Sequence, residues 1–248
     1  MPLPTNLELE SEEQAILFIA ETAMRRLQNR IHSALYSPDG DGLVSGSGSG
    51  MESGGSWHIQ NLQRLLALSG ELHRQLEEWY SSMPEDVRPP QGMEPIASSR
   101  CKVLRIRYYA AQHMIHRPFV LHVVHQQEKS ESSTPSGMDP DLFAAVPQVV
   151  LDQCEICIDS SLKYLYNAVE MLDVSSSNLW SFSQACLASL TILMLAEGTP
   201  QLRKFVPNVR PIRDLVVEKL SKWATKGSTF EAEVAILRTL TFADTPAA

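Results

Sequence analysis

The chain has 248 residues, of which 44% are hydrophobic and 20% are charged, and its formal net charge at pH 7 is −8. This length allows one large domain, and the composition is typical of a soluble globular protein. The acidic balance argues against a nucleic-acid-binding surface, because phosphate contacts need clustered lysine and arginine. No signal peptide is evident, and four cysteines without an Asn-x-Ser/Thr sequon favour a reducing, intracellular compartment.

The first predicted helix is preceded by Ser11, which forms a capping-box pattern with Gln14. Its apolar residues recur at helical spacing as far as Leu35, and we interpret Arg25, Arg26 and Arg30, which lie off that stripe, as solvated. The Gly/Ser-rich stretch 37–56 predicts a flexible linker. It contains neither glycine-rich phosphate-binding pattern and no strand precedes it, so we do not interpret it as a phosphate-binding loop.

The next two helices are predicted over Trp57 to Tyr80 and Arg100 to Phe119, with a proline-rich connection between them. Pro118 lacks an N–H, and its ring would clash with the carbonyl of Met114. We therefore expect the second of these helices to end or kink at Pro118. The polar, Ser-rich stretch 126–138 predicts a mobile loop.

Further helices are predicted in the second half of the chain. Asp139-Pro140 can begin a short helix, and Pro147 suits the first turn of a longer one. An amphipathic helix follows over Pro211 to Lys226 and is terminated by a glycine. Ser228 and Glu231 then form a second capping box that begins a last helix.

The segment Leu179 to Ala196 is apolar nearly all round and about long enough to be considered as a membrane span. Polar residues interrupt it, and no lysine or arginine stands close to either end, so we interpret it as a buried central helix. No run of residues alternates with the period of a strand. The sequence predicts an all-α fold: a single domain over 1–248, in which about seven helices form an irregular array around this segment.

Two cysteines have the spacing Cys154-x-x-Cys157, which places both thiols on one face of a helix. Structural zinc needs four ligands in a tetrahedron, and a redox Cys-x-x-Cys motif normally follows a strand. Histidines elsewhere could nominally complete a zinc site. Core packing is the preferred interpretation, because cysteine is commonly a buried apolar residue, and no metal or other cofactor is predicted.

A polar cluster on the third helix is a candidate effector pocket, because its members carry hydrogen-bonding groups on apolar bodies. The candidate residues are Tyr108, His113, His116 and Arg117. In the preferred alternative, Tyr109 and His113 pack inward, while Tyr108 and His116 reach towards solvent. Arg117 would then bond to carbonyls at the end of the helix.

The sequence carries none of the common catalytic motifs. We find no G-x-S-x-G, H-E-x-x-H, aspartate-rich metal motif or P-loop. Serine, histidine and aspartate are abundant, but their spacing alone carries no information about a catalytic arrangement. No catalytic residues are predicted, and the chain is not predicted to be an enzyme.

Five segments, taken in their order and spacing, resemble the later part of the regulatory region of fungal zinc-cluster transcription factors, called the middle homology region. They are Phe18 to Tyr36, Leu76 to Pro89, Leu104 to Val120, Cys154 to Leu165 and Leu179 to Leu195. The resemblance covers roughly Ala15 to Leu240 and implies a helical regulatory domain of a nuclear transcription factor. In that family the domain restrains or relays activation, sometimes with a small-molecule effector.

The chain departs from the family pattern in one respect. The DNA-binding module of the family holds two zinc ions with six closely spaced cysteines, whereas this chain has four in total, the first at Cys101. We therefore expect no direct contact with nucleic acid and no zinc cluster in this chain. The chain also begins where the regulatory region of the family is already under way, so a truncated gene product or fragment is an expectation of the resemblance.

Three hypotheses follow. The first is a non-enzymatic regulatory domain that acts by intramolecular contacts, self-association or effector-biased repacking of helices. The second is a helical small-molecule receptor, and the third is a truncated remnant without independent activity. The expected partners are proteins, including a second copy, and a small-molecule effector, with no membrane association and a nuclear location.

Overall fold

The computed structural model describes residues 12–36, 54–133 and 146–240. Within these ranges the chain forms seven α-helices and no β-strand, so the prediction of an all-α fold is confirmed. The helices are α1 (Glu12–Tyr36), α2 (Gly54–Ser81), α3 (Ser99–Ser133), α4 (Gln148–Ala168), α5 (Leu179–Gly198), α6 (Arg210–Ser221) and α7 (Thr229–Thr239). The sequence predicts one domain, whereas the chain divides into two compact units, Met1–Ala111 and Gln112–Ala248.

In the first unit, α1 and α2 pack as an antiparallel pair. The Trp79 indole N–H donates a hydrogen bond of 3.0 Å to the Ala20 carbonyl, which joins the first half of α1 to the end of α2. Six residues of α1 form its buried stripe at steps of three and four: Leu17, Ala20, Met24, Leu27, Ile31 and Leu35. Because α2 begins at Gly54, the last three residues of the predicted linker 37–56 are helical, and 37–53 lie outside the described residues.

The proline-rich connection after α2 is held by side chains from the start of α3. The buried Arg105 guanidinium donates hydrogen bonds to the carbonyls of Pro90, at 3.2 Å, and Glu94, at 2.6 Å. The Gly92 N–H donates to the Tyr109 hydroxyl at 2.6 Å, and its φ of 113° favours glycine. The bonds of Arg105 give a reason for one of the cations in the first turns of α3, where the helix dipole disfavours them.

The sequence predicts that the third helix ends or kinks at Pro118, and the helix does not end there. It runs to Ser133, so residues 126–133 of the predicted loop are helical, and 134–138 lie outside the described residues. A proline inside a helix costs about 3 kcal/mol. Ile115, Phe119 and Val120 surround it and are fully buried, and each contributes about 1.5–3 kcal/mol on burial, which offsets that cost.

In the second unit, α5 is the central helix and contacts α4, α6 and α7. It is long and apolar enough to cross a membrane, but half of it is buried inside the protein, as in the core helix of a globular unit. Cys186, Leu190, Leu193 and Ala196 are fully buried. The prediction of a buried apolar helix at the centre of the array is therefore confirmed.

The last helices begin and end where short-range signals place them, with one exception. The Ser228 hydroxyl accepts a hydrogen bond from the Glu231 N–H at 3.2 Å, and the Glu231 carboxylate accepts one from the Gly227 N–H at 2.6 Å. This confirms the capping box of α7. The sequence predicts that α6 continues to Lys226, but it ends at Ser221. The short helix predicted at 139–140 lies outside the described residues.

Candidate binding surfaces

The two cysteines of the Cys-x-x-Cys motif are both fully buried, which confirms that they pack in the core. Burial raises the pKa of Cys154 to about 12 and raises the pKa of Cys157 further still. A thiol held protonated in this way is neither a good nucleophile nor a good metal ligand. In the part of the chain that the structure describes, no group of three or more His, Cys, Asp or Glu residues is arranged to hold a metal.

His113, one of the predicted pocket residues, is buried and bonded to α4. Its Nδ1 lies 2.7 Å from the Ser161 hydroxyl oxygen, and the Ser161 hydroxyl itself donates to the Cys157 carbonyl at 2.7 Å. We infer that Nδ1 carries the hydrogen and donates it to Ser161. Burial, more than the nearby charge of Arg117, lowers the pKa of His113 to about 3, so the imidazole is neutral at pH 7.

Tyr108 belongs to the first unit and is bonded there. Its hydroxyl donates to the Glu77 carboxylate at 2.5 Å and accepts a hydrogen bond from the Gln91 amide at 3.2 Å. Its ring centroid lies 5.3 Å from the centroids of both Tyr80 and Tyr109. Burial and the bond to Glu77 raise the pKa of Tyr108, so the hydroxyl remains protonated and acts as a structural donor.

The two remaining pocket candidates lie beside His113 in the sequence. His116 is buried, with its ring centroid 6.5 Å from that of Phe119, and Arg117 is half-buried. The expectation that Tyr108 and His116 reach towards solvent is wrong, since only 4% and 2% of their surfaces are exposed. Tyr108 makes its contacts in the first unit and the other three residues lie in the second, so an effector pocket formed by all four stays a prediction.

An open groove runs along α1 and α2 of the first unit. Its volume is about 810 Å³. The residues that line it come from both helices: Phe18, Ile19, Thr22, Ala23, Arg26, Leu27, Arg30, Arg74, Gln75, Glu78, Trp79 and Ser82. In each helix they recur at steps of four, so the groove follows neighbouring turns of both helices.

The groove combines an apolar interior with basic edges. Leu27 and Trp79 are buried within it, whereas 46% of Phe18 and 65% of Ile19 remain exposed. Adjacent exposed apolar side chains in a groove are typical of a surface that another molecule covers.

Three arginines line the same groove. Among the described residues, ion pairs with carboxylates are seen for one of them, Arg74. Arg74 contacts Glu71 at 2.6 Å and also pairs with Glu78. Arg30 donates instead to the neutral Gln75 amide oxygen at 2.6 Å, and Arg26 is exposed. The edge of the groove is therefore basic in a chain whose net charge is −8.

Sequence reasoning missed this groove because it treated α1 as having one apolar stripe. Phe18 and Ile19 extend the apolar surface of α1 beyond the stripe that packs on α2. The sequence signal was the adjacent pair Phe18 and Ile19. A helix that buries one face does not require large apolar residues at two neighbouring positions, so the pair indicates a second apolar surface.

The fold and the groove define an all-helical protein with a surface suited to binding another molecule. No protein-family model and no solved structure matches the chain. Over 202 residues the chain is 27% identical to a protein of Aspergillus rugulosus named "Putative transcription factor ecdB". The match covers 78% of this chain but 30% of that protein, so the chain spans less than a third of its relative's length.

Proposed function

We propose that this chain is a helical regulatory part of a fungal transcription factor of the zinc-cluster type. The observation that supports the proposal is the similarity to a protein named as a transcription factor, over most of this chain. The matched length far exceeds a short motif, and the described part of the chain is helical, as a regulatory domain of that kind would be. A nuclear location follows from the same proposal.

The proposed mechanism is control through packing of helices against partners. Contacts with another segment of the factor, with a second copy or with an effector would favour one of two arrangements and so mask or release an activating segment. The acidic net charge disfavours direct contact with DNA. The cysteines of this chain, three of which are buried in helices, serve the core in this proposal rather than a zinc cluster.

A small-molecule effector is a second candidate function. The groove volume of about 810 Å³ falls in the range of about 300–1,000 Å³ that is usual for ligand sites. Its support is weaker, because the groove is an open channel along two helices and most of its polar side chains already bond to one another. A ligand that raises the melting temperature of the purified chain in a concentration-dependent way would support this function.

The proposed function can be tested with a transcription reporter. The chain would be fused to a heterologous DNA-binding domain that also carries an activation segment, and reporter output would be compared with the same fusion lacking the chain. We expect the chain to change the output. A matched fusion carrying Leu193→Asp, which places a charge in the core of α5, should not. An unchanged reporter from a folded, nuclear fusion would contradict the proposal.

A further inference from the structure

We propose that the groove between α1 and α2 binds an acidic amphipathic helix of a partner protein. The proposal names the partner class for the regulatory contacts above, and it rests on the proposed function for its biological setting. Its physical support comes from the first unit alone: the length of the groove, its exposed apolar side chains and the charge at its edge.

The length of the groove suits a helix. Its lining residues extend over Phe18 to Arg30 in α1 and over Arg74 to Ser82 in α2. At a rise of 1.5 Å per residue, the stretch of α1 is about 18 Å long, or a little over three helical turns. Rows of side chains spaced four apart are the ridges between which a neighbouring helix packs. A third helix could therefore pack into the groove in the same way that α1 and α2 pack against each other.

The apolar side chains supply the reason for binding. Phe18 and Ile19 are exposed by 46% and 65% and line the same groove as the buried Leu27 and Trp79. A partner helix that places large apolar residues at i, i+3, i+4 and i+7 would cover both exposed side chains. The partner helix must be amphipathic, because the face that points away from the groove stays in water.

The charges at the edge select an acidic partner. Arg26 has no ion pair among the described residues, and Arg30 bonds to the neutral Gln75 amide with the Glu71 carboxylate nearby. Arg74 is paired with both Glu71 and Glu78. Carboxylates that flank the apolar face of a partner helix would meet these arginines, which favours both association rate and specificity. A second copy that used the same face would offer these arginines Glu78, whose carboxylate is already paired with Arg74. Nucleic acid would leave the apolar walls without a partner.

The test uses the purified full chain and a designed peptide. The probe is a fluorescein-labelled helical peptide of about 20 residues, with leucine and phenylalanine at i, i+3, i+4 and i+7 and glutamate on either side of them. The control peptide has lysine in place of each glutamate. Fluorescence anisotropy measures binding. We expect the glutamate peptide to bind at least about tenfold more tightly than the lysine peptide, with an affinity that falls as salt is added.

Variants assign the binding to the groove. Arg26→Glu should weaken binding of the glutamate peptide several-fold, and Arg26→Glu combined with Arg30→Glu about tenfold or more. Arg25→Glu makes the same change of charge on the neighbouring residue, which is bonded to Glu21 outside the groove, and should have a smaller effect. Ile19→Glu should abolish binding. Circular dichroism checks that each variant keeps its helices.

Three results would overturn the inference: equal binding of the two peptides, equal effects of Arg25→Glu and Arg26→Glu, or displacement of the peptide by duplex DNA. A dimer in sedimentation that Ile19→Glu dissociates would assign the groove to a second copy and would also overturn it. An unchanged reporter together with tight, groove-dependent peptide binding would count against the proposed function and leave the groove assignment intact.

Discussion

Acidification should destabilise the second unit through one buried histidine, His113. In the folded protein its pKa is lowered to about 3, whereas the ordinary value is 6.5. Between these two values the unfolded chain binds a proton that the folded chain does not, so stability is retained above pH 6.5 and is lost as the pH falls. At about pH 5.5, one unit below the ordinary value, the expected loss is about 1.4 kcal/mol.

The measurement is the free energy of unfolding in urea, followed by circular dichroism, at about pH 7.5 and about pH 5.5. His113→Gln removes the titrating group, so its stability should fall by about 1.4 kcal/mol less than that of the wild type on acidification. His125→Gln is the matched control, since this histidine lies on the same helix with 64% of its side chain exposed. If His113→Gln and the wild type lose equal stability, the reasoning is wrong.

Three further changes test the packing. Leu193→Ala, in the fully buried part of α5, should cost about 3 kcal/mol in urea unfolding, whereas Leu215→Ala on the exposed side of α6 should cost less than about 1; equal costs would contradict the core assignment. Burial raises the pKa of Glu233, so its ionisation should reduce stability as the pH rises above its ordinary value, and Glu233→Gln should gain on the wild type between about pH 4.5 and 7. A gain that is the same at both pH values would refute this. Trp79→Phe removes the indole N–H that donates to the Ala20 carbonyl, together with part of a buried ring, and should lower the stability of the first unit by about 1–2 kcal/mol, seen in the same unfolding assay.

The proline-rich connection makes contacts that could not be predicted from local sequence patterns. The sequence places basic residues at the start of α3, where the helix dipole disfavours them, and supplies no reason for them. In the structure, Arg105 is buried and bonds to two carbonyls of the connection. Those carbonyls are about a dozen residues away in the chain. Helical periodicity does not predict which backbone carbonyls of a connection an arginine side chain will contact.

The continuation of α3 past Pro118 has a similar cause. A proline removes one backbone hydrogen bond, and the sequence alone records that cost. The offsetting gain comes from Ile115, Phe119 and Val120, whose complete burial depends on helices distant in sequence. The balance between the two was set by tertiary packing, so of the two predicted outcomes at this proline, an end or a kink, the helix end did not occur.

The sequence by itself determined the helical class, the apolar central helix and the capping box of α7, because helical periodicity and caps act within one or two turns of the chain. Tertiary structure alone decided which apolar residues of α1 stayed exposed and which arginines came to border them. A groove belongs to two helices at once, and residues some fifty positions apart, such as Arg30 and Gln75, lie beside each other only after those helices pack.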